Sequence, residues 1–308
     1  AEEHVLIVIG AGEKLEAKFG LYLRQELALC DSTVAWHLYF ARQFLIDRFG
    51  CGPVCVTELC ATDVVGFVQR HAAHLHRQRA RAMTTALRSF LRYLRYCGDI
   101  SADLAACVPA VPNWSMTSVP RSLEPGQVQQ ILASCDRQTV MDRRDYAILL
   151  LLARLGLRAG EVTHLRLEDI DWEGGRLSVR GKGGRQSWLP LPVEVGESIA
   201  AYLQHGRLQV GSRRMFLRER APIGGFKYSR AVSSIVKHAL ARAGIDSPHK
   251  GAHQLRHTLA SQMLRQGASL AEIGEALRHR NPQTTTIYAK VDLASLRPLS
   301  LPWPGGAQ

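Results

Sequence analysis

The chain has 308 residues, 46% hydrophobic and 21% charged, a composition that supports buried cores and excludes a disordered chain. Its 39 lysines and arginines against 27 aspartates and glutamates give a formal net charge of +12, which points to a phosphate-rich partner because neutralised phosphates release condensed counterions. No apolar run approaches the ~20 residues of a spanning helix, and the N-terminal VLIVIG lacks a basic leader and a cleavage site, so the expectation is a cytoplasmic protein with no membrane partner.

In chain order, the spacing of apolar residues predicts helices over 13–29, over 32–50 with Ser32 or Asp31 as cap and Gly50 as stop, over 62–75, and over 77–98 ending at Gly98. The fourth is the most informative. Leu87, Leu91 and Leu94 recur at helical spacing, while Arg77, Arg79, Arg81, Arg88, Arg92 and Arg95 crowd the remaining positions with no carboxylate on the helix to pair with them. These six arginines are the candidate DNA-binding face. GAG at 10–12 is only a fragment of a phosphate loop, lacking its third glycine.

Seven cysteines (Cys30, Cys51, Cys55, Cys60, Cys97, Cys107 and Cys135) form an odd set, so reduced thiols are expected. Cys51, Cys55 and Cys60 precede His71, His74 and His76 but lack the paired Cys-x-x-Cys spacing, and no metal is expected. Residues 108–125 hold four of the thirteen prolines and no helical pattern. They separate an N-terminal domain, 1–112, from a second domain, 123–308, through a linker at 113–122.

The second region opens with an apolar helix, RRDYAILLLLARLG, stopped by Gly156, and a turn into a short helix over LRAGEVTHLRLEDI. DIDWEGGRLSVRGKGGRQSWLPLP reads as three antiparallel strands broken at EGG and KGG. Helices follow over 193–206, 229–244, 252–267 and 269–279, the last opened by Ser269 and Glu272 in capping-box spacing. Asn281 as cap and Pro282 at the first position then predict another short helix, with Tyr288 about two turns into it.

Several residues of this region stand where packing alone does not call for them. Arg158 projects from the turn after a buried helix; Lys182 sits at the tip of a glycine-rich hairpin; His253 and Arg256, three apart, share a helix face; His279 ends a helix nine residues before Tyr288. In this order and spacing they resemble the tyrosine recombinase, or phage integrase, family. GLRAGEV resembles its first box, with Arg158 as first arginine and Glu161 as acidic support. RGKGGRQSWLPLP resembles the strand pair with the lysine, HQLRHTLAS the second box and LRHRNPQTTTIYAKV the third. Two departures stand out: Arg278 replaces the usual glycine before the histidine, and Gly251–Ala252 replaces a common proline.

The resemblance implies a Xer-like two-domain site-specific recombinase, mainly α with a small antiparallel β-sheet: a helical SAM-like core-binding domain plus a mixed α+β catalytic domain. It implies catalytic roles for Arg158, Lys182, His253, Arg256, His279 and Tyr288, with Glu161 supporting. Both arginines bind phosphate, Tyr288 is the nucleophile, His253 takes or shares its proton, Lys182 protonates the departing 5′ oxygen and His279 donates to a nonbridging oxygen. The intermediate is a 3′-phosphotyrosyl bond formed without metal, ATP or other cofactor. The implied partners are double-stranded DNA carrying paired recombination sites and three further copies of the chain, in a tetramer held by exchange of the C-terminal tail through Leu293, Leu296, Leu299 and Trp303. A type IB topoisomerase-like activity and a non-catalytic DNA-binding regulator are the alternatives.

Overall fold

A computed structural model describes residues 2–111, 122–181 and 184–291, with side chains from 12 to 290. The chain forms two compact units, Ala1–Ser115 and Met116–Gln308, and it is mainly helical with one small antiparallel sheet.

The first unit holds α1 (Glu2–Gln25), α2 (Asp31–Phe49), α3 (Ala61–Ala72) and α4 (Arg77–Tyr96). In α4 the buried residues Ala80, Met83, Leu87, Phe90, Leu91 and Leu94 recur every three or four positions and face α2, α3 and α1. Phe90 meets Phe19 edge-on with centroids 5.2 Å apart, and Phe44 meets Phe67 at 5.3 Å. Each such buried ring contributes about 1.5–3 kcal/mol, so aromatic pairs help hold these helices together. Gly50, at φ 57°, closes α2, and Gly98, at φ 79°, follows α4.

Two local expectations change. The helix expected to begin at residue 13 begins at Glu2, so the GAG fragment lies inside α1, where helical hydrogen bonding uses the amides a phosphate loop would need to leave free. The residue that caps α2 is Cys30, in extended conformation and without a side-chain cap bond, while Asp31 is the first helical residue.

The second unit begins with α5 (Gln127–Ala133), α6 (Val140–Arg154) and α7 (Ala159–His164), followed by β1 (Ile170–Asp171), β2 (Arg176–Arg180) and β3 (Gln186–Pro190). The strands pair antiparallel in sequence order, with Leu177 opposite both Ile170 and Leu189. Then come α8 (Val193–His205), α9 (Arg230–Arg242), α10 (Ala252–Arg265) and α11 (Leu270–Ala276). The middle of α6 has no polar face: Ala147, Ile148, Leu149, Leu150, Leu151 and Leu152 are all fully buried, because α5, α8, α9 and α10 surround the helix. It is the axis on which the site is mounted.

After His279 the chain forms two 3₁₀ turns, Pro282–Thr284 and Thr286–Val291, in place of the single short helix expected. Asn281 does cap them, its Oδ1 accepting from Gln283 N–H at 2.9 Å. The run Thr284-Thr285-Thr286-Ile287 is β-branched and stiff at χ1. Thr285 is also fixed by a side-chain hydrogen bond to His279, so one turn closes before it and the next begins after it. Tyr288 is thereby seated near the start of the second turn, with Leu277, Ile273 and Ala260 in its apolar cluster.

Gly156 is the tightest point of the scaffold. It stands at φ 57°, and an added Cβ would lie 2.7 Å from Leu277 Cδ2 and 3.0 Å from Leu259 Cδ2. Gly156→Ala is expected to cost at least about 1–2 kcal/mol from the left-handed backbone alone, read as a lower midpoint in urea unfolding followed by fluorescence.

Candidate active site

Each site residue is held by a backbone feature. Arg158 is the N-cap residue of α7, in extended conformation, and Glu161 at the third helical position reaches back to it. Glu161 accepts from the Arg158 backbone N–H at 2.8 Å, from Arg158 Nη1 at 2.8 Å and from Arg278 Nη2 at 3.1 Å. Burial pushes the Glu161 carboxyl pKa up, but the Arg158 amide and the Arg278 and Arg158 guanidinia outweigh it and hold the group below its ordinary value. Arg158 Nη2 also donates to the Arg278 carbonyl at 3.3 Å.

Arg256 lies on α10, 3% exposed, and donates through Nη1 to the Gly156 carbonyl and through Nη2 to the Leu277 carbonyl. The carbonyl behind the α6 stop thus aims the second arginine of the site. Burial, then the positive charges of Arg158 and Arg278, lower its pKa to about 10, so it remains a cation at neutral pH. His253 lies one turn before it with an exposed side chain; partial loss of hydration and the charges of Arg256 and Arg158 lower its pKa.

His279 follows α11, its N–H donating to the Gly274 carbonyl at 2.8 Å and its Nδ1 hydrogen-bonded to Thr285 Oγ1 at 2.7 Å. Its ring is parallel to that of Tyr288, centroids 6.4 Å apart. Burial first, then Arg256 and Arg158, bring its pKa to about 4. A neutral ring that accepts from Thr285 at Nδ1 carries its proton on Nε2, where it can donate. Tyr288 is 2% exposed, and burial raises its pKa against the opposing pull of Arg256 and Arg158.

The fold therefore brings Arg158, Glu161, His253, Arg256, His279 and Tyr288 into one connected cluster. Lys182 lies outside the described residues, as do Leu293, Leu296, Leu299 and Trp303 of the tail. Two members were not singled out from sequence. His257 Nδ1 is 2.9 Å from the Tyr288 hydroxyl, a contact signalled only by its place four residues after His253 on the same helix face. Arg278, noted only as a departure from a family pattern, stands at φ 55°, the conformation that accounts for a glycine there, and its side chain binds Glu161.

In the first unit, Arg77, Arg79, Arg81, Arg92 and Arg95 of α4 are exposed, and Arg79 lies over the Trp36 ring at 5.3 Å. Arg95 finds a carboxylate beyond the helix, pairing with Asp103 at 3.0 Å. Arg88 is half-buried and donates to the carbonyls of Val108 and Pro109, so its charge serves the fold. His71 is hydrogen-bonded to Asp47 and Cys60 to Asp63; among the described residues no three His, Cys, Asp or Glu side chains gather as a metal site.

Glu161→Gln leaves two partly buried guanidinia without their shared anion and is expected to destabilise the second unit by about 3 kcal/mol, seen in urea unfolding. Acid has a related effect. His257 and His279 have folded pKa values of about 4 against an ordinary 6.5, so the unfolded chain binds their protons first and stability falls as pH drops from 6.5 towards 4. A melting series over that window is expected to show a shallower fall for the double variant His257→Gln, His279→Gln.

The Phage integrase family profile matches residues 121–294. The chain is 55% identical over 287 residues to a Sinorhizobium fredii protein named as a putative integrase/recombinase, y4rA, covering 93% of this chain and 70% of that one. It is 31% identical to the tyrosine recombinase XerC of Oceanobacillus iheyensis, over 72% of this chain and 73% of the relative. Among solved structures, XerH recombinase in a post-cleavage complex with its palindromic difH substrate shares the fold, with a TM-score of 0.68 at 18% identity over 87% of this chain and 78% of that one. A family match over more than half the chain, joined to these relatives, decides the identity: the chain belongs to the phage integrase family and is a tyrosine recombinase of site-specific DNA recombination.

Proposed function

We propose that the chain cuts and rejoins DNA through a covalent 3′-phosphotyrosyl bond at Tyr288, without metal or ATP. The observation that carries this reading is the buried Tyr288 hydroxyl in a shell of Arg158, Arg256, His257 and His279. Two guanidinia present planar donor forks to the nonbridging oxygens of a phosphodiester, the place where charge accumulates during transfer. Arg256 stays protonated at neutral pH and is held by backbone carbonyls, so little reorganisation is needed when phosphate arrives.

A tyrosine whose pKa lies above 10 is ionised to less than about one part in a thousand at pH 7, so its proton leaves during attack, not before. Oη bonds to phosphorus, the bond to the 5′ oxygen breaks, and Lys182 protonates that oxygen. His279 donates from Nε2 to a nonbridging oxygen. Reversal by a 5′ hydroxyl from a second duplex yields strand exchange, and the bond energy is conserved throughout. Double-stranded DNA with paired sites is the substrate, gripped in part by Arg77, Arg79, Arg81 and Arg92 of α4, and four copies assemble on it through their C-terminal tails.

The test is a nicked DNA carrying the recombination site, incubated with protein and run on a denaturing gel. Wild type is expected to give a slow-migrating covalent band and Tyr288→Phe none. A band that survives in Tyr288→Phe assigns the nucleophile elsewhere, and no band from wild type on its own site overturns the reading.

A further inference from the structure

The Tyr288 hydroxyl is hydrogen-bonded to a histidine that the family resemblance leaves without a role. His257 Nδ1 lies 2.9 Å from Tyr288 Oη, with ring centroids 5.7 Å apart at 62°. The His253 ring is 6.0 Å from that of His257, and His253 has an exposed side chain. A buried hydroxyl needs an acceptor for its proton, and among the described residues the bonded partner of this one is His257 Nδ1.

Resting on the proposed phosphotyrosyl mechanism, we propose that His257 is the group that receives the nucleophile's proton, with His253 outside that transfer. As Oη bonds to phosphorus and the bond to the 5′ oxygen breaks, the phenolic proton passes to Nδ1 and His257 becomes an imidazolium. The 5′ oxygen takes its own proton from the acid on the leaving side. On rejoining, the incoming 5′ hydroxyl gives its proton back to the leaving-side acid, now deprotonated, as its oxygen bonds to phosphorus, and Nδ1 returns the phenolic proton to Tyr288 as the phosphotyrosyl bond breaks. Atoms and charge balance without a further reactant.

The surroundings fit an acceptor that is neutral before DNA binds. Facing His257 are His253 and Arg256 from its own helix, His249 just before it, and His279 and Tyr288 from the segment packed against it. Burial, then His253, Arg256 and His249, lower its pKa to about 4, so the free imidazole holds no second proton at neutral pH. A phosphodiester bound to Arg256 cancels part of that positive field. The basicity of His257 therefore rises when substrate is in place.

The discriminating variant is His257→Asn, whose amide oxygen takes the place of Nδ1 as a hydrogen-bond acceptor but cannot be protonated. In single-turnover cleavage of the nicked site, His257→Asn is expected to form the covalent band about 100-fold more slowly than wild type, with unchanged DNA binding in a gel shift and without the acid limb of the wild-type pH profile. A DNA with sulfur in place of the bridging 5′ oxygen needs no acid for its leaving group, so it is expected not to restore the lost rate. His253→Asn is expected to keep the acid limb. The proposal is overturned by a wild-type rate and profile in His257→Asn, by rescue with the sulfur substrate, or by loss of the acid limb in His253→Asn alone. His257→Gln, made in parallel, must lose the limb too, so reduced folding of one variant does not decide the matter. Absence of any band from wild type counts against the phosphotyrosyl reading itself, whereas a strong wild-type band beside unaffected His257 variants removes only this assignment.

Discussion

Three guanidinium groups converge on one carboxylate in the catalytic unit, and the rest of the site is arranged around that imbalance. Glu161 binds Arg158 and Arg278 directly, while Arg256 stands close enough for their charges to depress its pKa, together with burial, to about 10. Like charges at such range repel by several kcal/mol at the effective dielectric of a protein. They stay together because backbone geometry leaves them little alternative: the α7 N-cap fixes Arg158, and the carbonyls of Gly156 and Leu277 fix Arg256. The residual positive charge is a ground state waiting for an anion. Burial first, and then that charge, hold His257 and His279 well below the ordinary histidine pKa, so both are neutral at pH 7.

The sequence carried the residues whose position follows from short-range rules. Gly156 marked the stop of α6, and Ser269 with Glu272 announced the start of α11, where the Ser269 hydroxyl and Glu272 amide are bonded at 3.2 Å. The three strands followed from glycine breaks and alternation, and α4 showed its buried stripe as a repeat of Leu87, Leu91 and Leu94. Family resemblance then tied distant segments into one site, which no local pattern does.

What remained illegible was decided by contacts between segments far apart in the chain. His257 looked like the last letter of HQLRH until Tyr288, 31 residues on, placed a hydroxyl against its ring. Arg88 and Arg95 looked like their neighbours on α4, but residues beyond the helix supplied two carbonyls to one and a carboxylate to the other. The last turns were expected to be α-helical because cap and proline signals mark where a helix starts. They do not report that Thr285 is bonded to His279 and divides the segment.

The left-handed residue Arg278 has a consequence for how the site holds its carboxylate. Its carbonyl accepts from Arg158, its side chain binds Glu161, and Glu161 binds Arg158, so the three residues form a closed ring of polar contacts. In a chain with glycine at this position the ring is open, and Glu161 depends on Arg158 alone. Here Glu161 has two cationic partners. The arginine that departs from the family pattern thus acts as a second counter-ion, so the buried carboxylate does not depend on a single guanidinium.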